Sequence, residues 1–112
     1  MIKTVGLLTR KSGATHEQFV KHWVGTHAPL AHKVPGLRRY VQNHLRGERT
    51  RADIPATEVE LDGIAELWFD DQAALETASR TPEMKALHAD GALFIGRIKS
   101  FIVEEKFLIG SY

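Results

Sequence analysis

A chain of 112 residues with 43% hydrophobic and 26% charged residues has the make-up of an ordinary globular domain with one modest core, unlike a disordered, fibrous or membrane chain. Its formal charge of +1, with Lys and Arg interspersed among Asp and Glu, supplies neither a basic stripe for nucleic acid nor a polybasic patch for anionic lipid. The absence of cysteine removes disulfides, thiolate nucleophiles, zinc ribbons and iron–sulfur ligation; no apolar run approaches a secretory h-region of roughly 7 to 15 residues or the roughly 18 that span a bilayer. The expectation is a complete, cytoplasmic chain forming one domain over residues 1–112.

Residues 2–10 are rich in strand formers and run into the turn-like Lys11-Ser12-Gly13. Thr15 then precedes His16-Glu17-Gln18, a capping box that opens a helix. Along that helix Phe19, Val20, Trp23, Val24 and His27 share one face, and Pro29 with Pro35-Gly36 is expected to end it. Leu37 to Leu45 reads as a second strand with Tyr40, Gln42 and His44 on one side, followed by a charged surface loop over 46–62. Gly63 to Phe69 is the clearest strand. Gln72 to Ser79 reads as a short helix, Thr81-Pro82-Glu83 caps a further helical turn or two over 82–90, and Ile98 to Glu105 reads as the last strand.

The order β-α-β-β-α-β predicts an α+β, ferredoxin-like domain in which a four-stranded antiparallel sheet carries helices on one face. Apolar residues are consecutive in three strands (Val5 to Leu8, Leu67 to Phe69, Phe101 to Val103), so both sheet faces are partly apolar. A second copy of the sheet would bury the uncovered face, which predicts a homodimer.

Six histidines are candidates for chemistry. His16 and His22 read as surface residues, and His88 as a surface or cap residue. His27 completes the apolar helix face, where it is either a buried histidine bonded to backbone or a general acid/base. Tyr40 is a hydrogen-bond donor to a substrate oxygen or a space filler. Gln42 and His44 beside it line a polar cavity between layers or an edge-strand solvent face. Trp68 and Phe69 face opposite ways, one to the core and one to a pocket wall. Glu66, on the Trp68 side, is a surface or paired carboxylate, or a proton acceptor with a raised pKa. Trp23 and His32 complete the candidate ligand contacts. No pair of histidines has i, i+4 helical spacing and no carboxylates complete a facial triad, so no metal is expected. Glycine-rich phosphate loops, nucleophile elbows and dinucleotide fingerprints are missing from the sequence, which leaves acid/base and hydrogen-bonding groups and calls for no cofactor.

The runs Phe19-Val20-Lys21-His22-Trp23-Val24-Gly25-Thr26-His27-Ala28-Pro29-Leu30, Pro35-Gly36-Leu37-Arg38-Arg39-Tyr40-Val41-Gln42-Asn43 and Ala65-Glu66-Leu67-Trp68-Phe69 resemble the signature of the EthD family. The closing stretch from Leu93 to Glu105 is further similar to the bacterial methylmuconolactone methylisomerases, cofactor-free members of the same superfamily. The resemblance implies a dimeric α/β barrel with a pocket between helices and sheet, in a group linked to breakdown of ethers and aromatic-derived lactones. It also implies pocket roles for His27, with a one-residue offset, and for Tyr40. Asp53 stands where the isomerases carry a second pocket histidine, a departure that puts the methylisomerase reaction itself in question. Two readings follow for the small-molecule site: a cofactor-free isomerase, cyclase or lyase with His27, Tyr40 and Asp53 as catalytic groups, or a non-catalytic accessory protein that carries a hydrophobic metabolite for an oxygenase. A third is a haem- or quinone-handling monooxygenase.

Overall fold

The computed structural model describes residues 1–110. Its strands β1 (Ile2–Arg10), β2 (Arg39–His44), β3 (Gly63–Phe69) and β4 (Ile95–Glu104) form one antiparallel sheet in the order β2-β3-β1-β4. The helical segments α1 (His16–His22), α2 (Ala28–Ala31), α3 (Gln72–Ser79) and α4 (Pro82–Phe94) complete the ferredoxin-like α+β fold. Local signals set the helix starts. Thr15 accepts from the Gln18 amide while the Gln18 side chain accepts from the Thr15 N–H; Asp71 and Thr81 cap α3 and α4 by accepting from the Ala74 and Met84 amides, without the reciprocal bond.

Two apolar clusters join helices to sheet. Ala31, Val34, Phe69, Leu75, Ala78, Met84 and Leu87 form one, and Leu8, Phe19, Trp23, Ala65 and Phe94 the other. Each large side chain buried this way contributes about 1.5 to 3 kcal/mol relative to leaving it in water. Residues paired across strands share a face, so the registers define the sides. Leu8, Gly63, Ile98 and His44 lie toward the helices, as do Gly6, Ala65, Ser100 and Gln42, and Thr4, Leu67, Ile102 and Tyr40. Lys3, Trp68, Arg39 and Val103, with Val5, Glu66, Val41 and Phe101, lie on the other side.

The first helix, β2, α4 and β4 have other bounds than expected, β4 starting at Ile95 rather than Ile98. Pro29 does not end the first helix, because Trp23–His27 form a π turn that lets the rod continue through α2 to Ala31. A proline inside a helix has no N–H for the carbonyl four residues back and its ring crowds that carbonyl; a widened preceding turn relieves the clash. β2 is shorter than read, and α4 continues past 90 to Phe94 and feeds straight into β4 at Ile95. The segment 45–60 is exposed throughout. It is tied down at its end by Asp62, whose 2% exposed carboxylate accepts from the Arg10 N–H, the Arg10 guanidinium and His16 Nδ1 at 2.7–2.8 Å. Burial pushes the Asp62 carboxyl up, but these donors outweigh it and hold it below the ordinary aspartate value.

Candidate functional site

Between the helices and the sheet lies a cavity of about 620 Å³, and its origin is a row of small residues. Gly6 sits opposite Ala65 on one side and Ser100 on the other, and all three line the cavity floor. None of these three raises a large side chain to meet the helices, so space is left where the neighbouring rows are filled by Leu8 and Leu67. The walls are mostly apolar: Phe69, Leu75, Met84, Leu87, Ile95 and Ile98. Trp23 can lie flat over the end of the sheet because residue 63 is glycine; a Cβ there would stand 2.4 Å from the indole ring.

One polar group in this setting is built from three side chains. His27, 8% exposed, places Nδ1 2.7 Å from Asp90 Oδ2, and His22 places Nε2 3.0 Å from Asp90 Oδ1. Phe94 separates the two rings, stacked on His22 at 4.4 Å and edge-on to His27 at 5.1 Å. Asp90 belongs to the inward face of α4, where it follows Met84 and Leu87 and precedes Gly91 and Phe94. A carboxylate accepts only, so both histidines donate to it, and His27 is held with its proton on Nδ1 and, among the described residues, no hydrogen-bond partner at the Nε2 lone pair. Burial pushes the His27 pKa below the ordinary 6.5, against the pull of Asp90. The Asp90 carboxyl is pushed up by burial yet held below 3.8 by the hydrogen bonds from His27 and His22. The result is a neutral imidazole with one unengaged ring nitrogen, oriented by a buried anion, lining an apolar cavity.

The cavity's second polar edge comes from β2. The Gln42 amide donates to the Trp23 carbonyl at 2.9 Å and to the Tyr40 hydroxyl at 2.9 Å, and its oxygen meets His44 Nε2 at 3.1 Å. Burial raises the Tyr40 pKa, partly offset by the hydrogen bond from Gln42, so the hydroxyl is protonated. Trp23 Nε1 is buried and meets no hydrogen-bond partner among the described residues.

The structure thus gathers His27, Tyr40 and Trp23 around one cavity, with Gln42 and His44 behind Tyr40. Tyr40, Gln42 and His44 face the helices. The other candidates lie elsewhere. Glu66 and Trp68 are on the opposite sheet face, and Phe69 takes the pocket wall. Glu66 is salt-bridged to Lys3 at 2.7 Å and accepts from Asn43 at 2.8 Å; the Lys3 bond lowers its pKa, the reverse of the raised value a proton acceptor was expected to have. Trp68 donates to Glu105 at 2.6 Å, beneath Lys3 and Arg39. His32 is exposed after α2, and Asp53 is exposed on the 46–62 loop in a bidentate pair with Arg51, away from the cavity. Reading the sequence alone misses Asp90 altogether and leaves His22 on the surface. It also leaves His88 outside the site, although this residue lines the cavity. The signal for Asp90 was a lone acid at i+3 from Leu87 and i−4 from Phe94, on an otherwise apolar helix face. Among the described residues no group of three or more His, Cys, Asp and Glu is placed to hold a metal ion, and no helix is long and apolar enough to cross a membrane.

Residues 11–98 match the model of the EthD domain. This chain belongs to the EthD family. It is similar to the 4-carboxymethyl-4-methylbutenolide mutase of Pseudomonas reinekei, with 32% identity over 106 residues that cover 94% of this chain and 98% of that protein. An EthD family protein from Bacillus halodurans superposes with a TM-score of 0.77 at 32% identity, covering 95% and 99% of the two chains. A dimeric ferredoxin-like protein from Thermobifida fusca, at 15% identity and a TM-score of 0.65 over 91% and 88%, shares the fold alone. The matched residues span Trp23–His27 and Asp90.

Proposed function

We propose that this EthD protein is a cofactor-independent isomerase of a small oxygenated ring, a lactone or related cyclic enol ester. The buried His27–Asp90 pair on an apolar cavity of about 620 Å³ carries the reading, because a cavity that only stored an apolar metabolite would have no use for a desolvated, oriented base. The 32% identity to a butenolide mutase supports the choice of ring.

In the reaction, His27 Nε2 takes a proton from a ring carbon activated by the carbonyl. The C–H electron pair becomes a carbon–carbon double bond, the carbonyl pair moves onto oxygen, and that oxygen accepts a hydrogen bond from Tyr40. His27 then returns the proton at a different carbon. Atoms and oxidation state balance without a co-reactant. Asp90 stabilises the imidazolium formed between the two steps and holds the ring in place. Asp53 and Glu66 take no part.

The test is to incubate wild type and His27→Ala with 4-substituted butenolides and follow the ring protons by NMR. Rearranged product with wild type and none with His27→Ala is the expected result. Binding with return of unchanged ligand from both proteins would replace the isomerase by a carrier.

The exposed apolar side chains of β4 and the residues after it, Phe101, Ile102, Phe107, Leu108 and Ile109, support a homodimer formed over this edge and the face opposite the helices. Light scattering at micromolar concentration should give twice the chain mass of 12.6 kDa, and a monomer would remove this part of the reading.

A further inference from the structure

The hydrogen bonds behind Tyr40 have a fixed polarity that begins in the backbone. In the π turn the Trp23 carbonyl accepts from the Ala28 N–H and also from the Gln42 side chain at 2.9 Å. A carbonyl only accepts, so the Gln42 atom facing it is the amide nitrogen, whichever way an amide might otherwise be turned. The Gln42 oxygen then points at His44 Nε2, which donates. The second amide N–H of Gln42 lies 2.9 Å from the Tyr40 oxygen, and an amide nitrogen has no lone pair to offer, so Tyr40 is the acceptor. Its own proton meets no acceptor among the described residues, and Tyr40 lines the cavity.

From this chain of donors we infer that Gln42 is a positioning and specificity-determining residue, which forces Tyr40 to present a proton to the cavity and so requires an acceptor lone pair, as on a carbonyl or ring ester, at the ligand atom that meets it. The inference rests on the small-ring reading of the cavity and adds the polarity of the ligand atom that must sit at Tyr40. It also explains why β2 places a half-buried glutamine two residues from a tyrosine on the same face. Valine or leucine would fill the volume but would give the Tyr40 oxygen no donor, leaving its proton free to turn away from the cavity.

Gln42→Glu is the informative change, since it keeps the shape and reverses the polarity. The new carboxylate has no N–H to give, Tyr40 donates to it, and the lone pairs of Tyr40 then face the cavity. Binding of cyclopent-2-enone and cyclopent-2-enol is measured by NMR titration on wild type, Gln42→Glu and Tyr40→Phe. Wild type is expected to bind both probes through an oxygen lone pair, and Gln42→Glu to shift the ketone-to-alcohol ratio by about tenfold toward the alcohol, which alone has a proton to donate. Tyr40→Phe weakens the ketone without any gain for the alcohol. General damage to the fold would weaken both probes together and leave the ratio unchanged. An unchanged ratio in folded Gln42→Glu, judged by circular dichroism, overturns the inference. Should wild type bind neither probe, the small-ring reading fails on its own, and the Gln42 side-chain amide decides the polarity. Of its two protons in a ¹H–¹⁵N spectrum, one should move in Tyr40→Phe and the other stay; two unmoved protons overturn it. The same amide spectrum covers a Gln42→Glu protein that does not fold.

Discussion

Each side of the sheet has a carboxylate cluster flanked by cations or histidines, carried on one side by the strands and on the other by the helices, and the two clusters are not alike. Opposite the helices, Lys3 bridges Glu66 at 2.7 Å and Glu105 at 3.0 Å, Asn43 donates to Glu66, and Trp68 donates to Glu105. Desolvation opposes the Lys3 charge, but the two carboxylates outweigh it and raise its pKa, while the Lys3 bond lowers that of Glu66. Every strong group there is matched by an opposite one, and proton transfer would break the set. On the helix side Asp90 is matched as fully, by His22 and His27, but an imidazole has two nitrogens and only Nδ1 of His27 is engaged. Pairing alone stabilises; pairing that fixes a side chain while leaving a basic atom facing a cavity is what proton transfer needs.

Breaking the helix-side cluster should have the largest effect. His27→Ala is expected to lower turnover by roughly 10² to 10⁴-fold, the usual contribution of a positioned proton-transfer group. Asp90→Asn comes next. It lets His27 adopt the other tautomer, and a loss of roughly 10²-fold or more in kcat is expected with the melting transition still cooperative. The pH dependence follows from the directions of the shifts. Folded His27 binds its proton below 6.5, so the acid limb of the rate profile should fall below 6.5 in wild type. The unfolded chain takes up that proton first, so stability declines as pH falls from 6.5 toward the folded value of His27. Asp90, held below 3.8, adds stability that is present above 3.8 and is lost as pH falls further through its folded value. Thermal melts across this range check the sign.

Breaking the opposite cluster should separate stability from activity. Lys3→Met leaves Glu66 and Glu105 facing each other without their cation and is expected to cost about 1 to 3 kcal/mol in denaturant melts, with kcat per folded protein unchanged. A fall in kcat as large as that of Asp90→Asn would erase the distinction between the faces. Asp53→Asn, on an exposed loop and paired only with Arg51, should leave both the melting temperature and turnover at wild-type values.

The difference between the faces also marks what a sequence makes legible. Strand β1 and the caps at Thr15 and Thr81 depend on neighbours within a few residues, and the chain spells them out. His27 was visible because it continues the Phe19–Trp23 face. Asp90 was not, since its partners His22 and His27 lie 68 and 63 residues away and meet it only once α4 packs against the first helix. Ending α4 at residue 90 hid it further, because the inward face becomes clear only with Gly91 and Phe94. His22 sits at the border of the helix face, and the π turn, which a uniform 3.6-residue wheel does not contain, lies directly after it. Glu66 was placed on the correct side of β3, but its partner Lys3 belongs to β1, and the sign of its pKa shift depends on that pairing.

The most direct test is a long-range ¹H–¹⁵N NMR titration of the histidine rings from pH 8 downward, with His27→Ala to assign the signal. The account requires His27 to carry its proton on Nδ1, with Nε2 unprotonated, and to titrate below 6.5. A His27 protonated on Nε2, or one that titrates above 6.5, would leave the cavity without its base and contradict it.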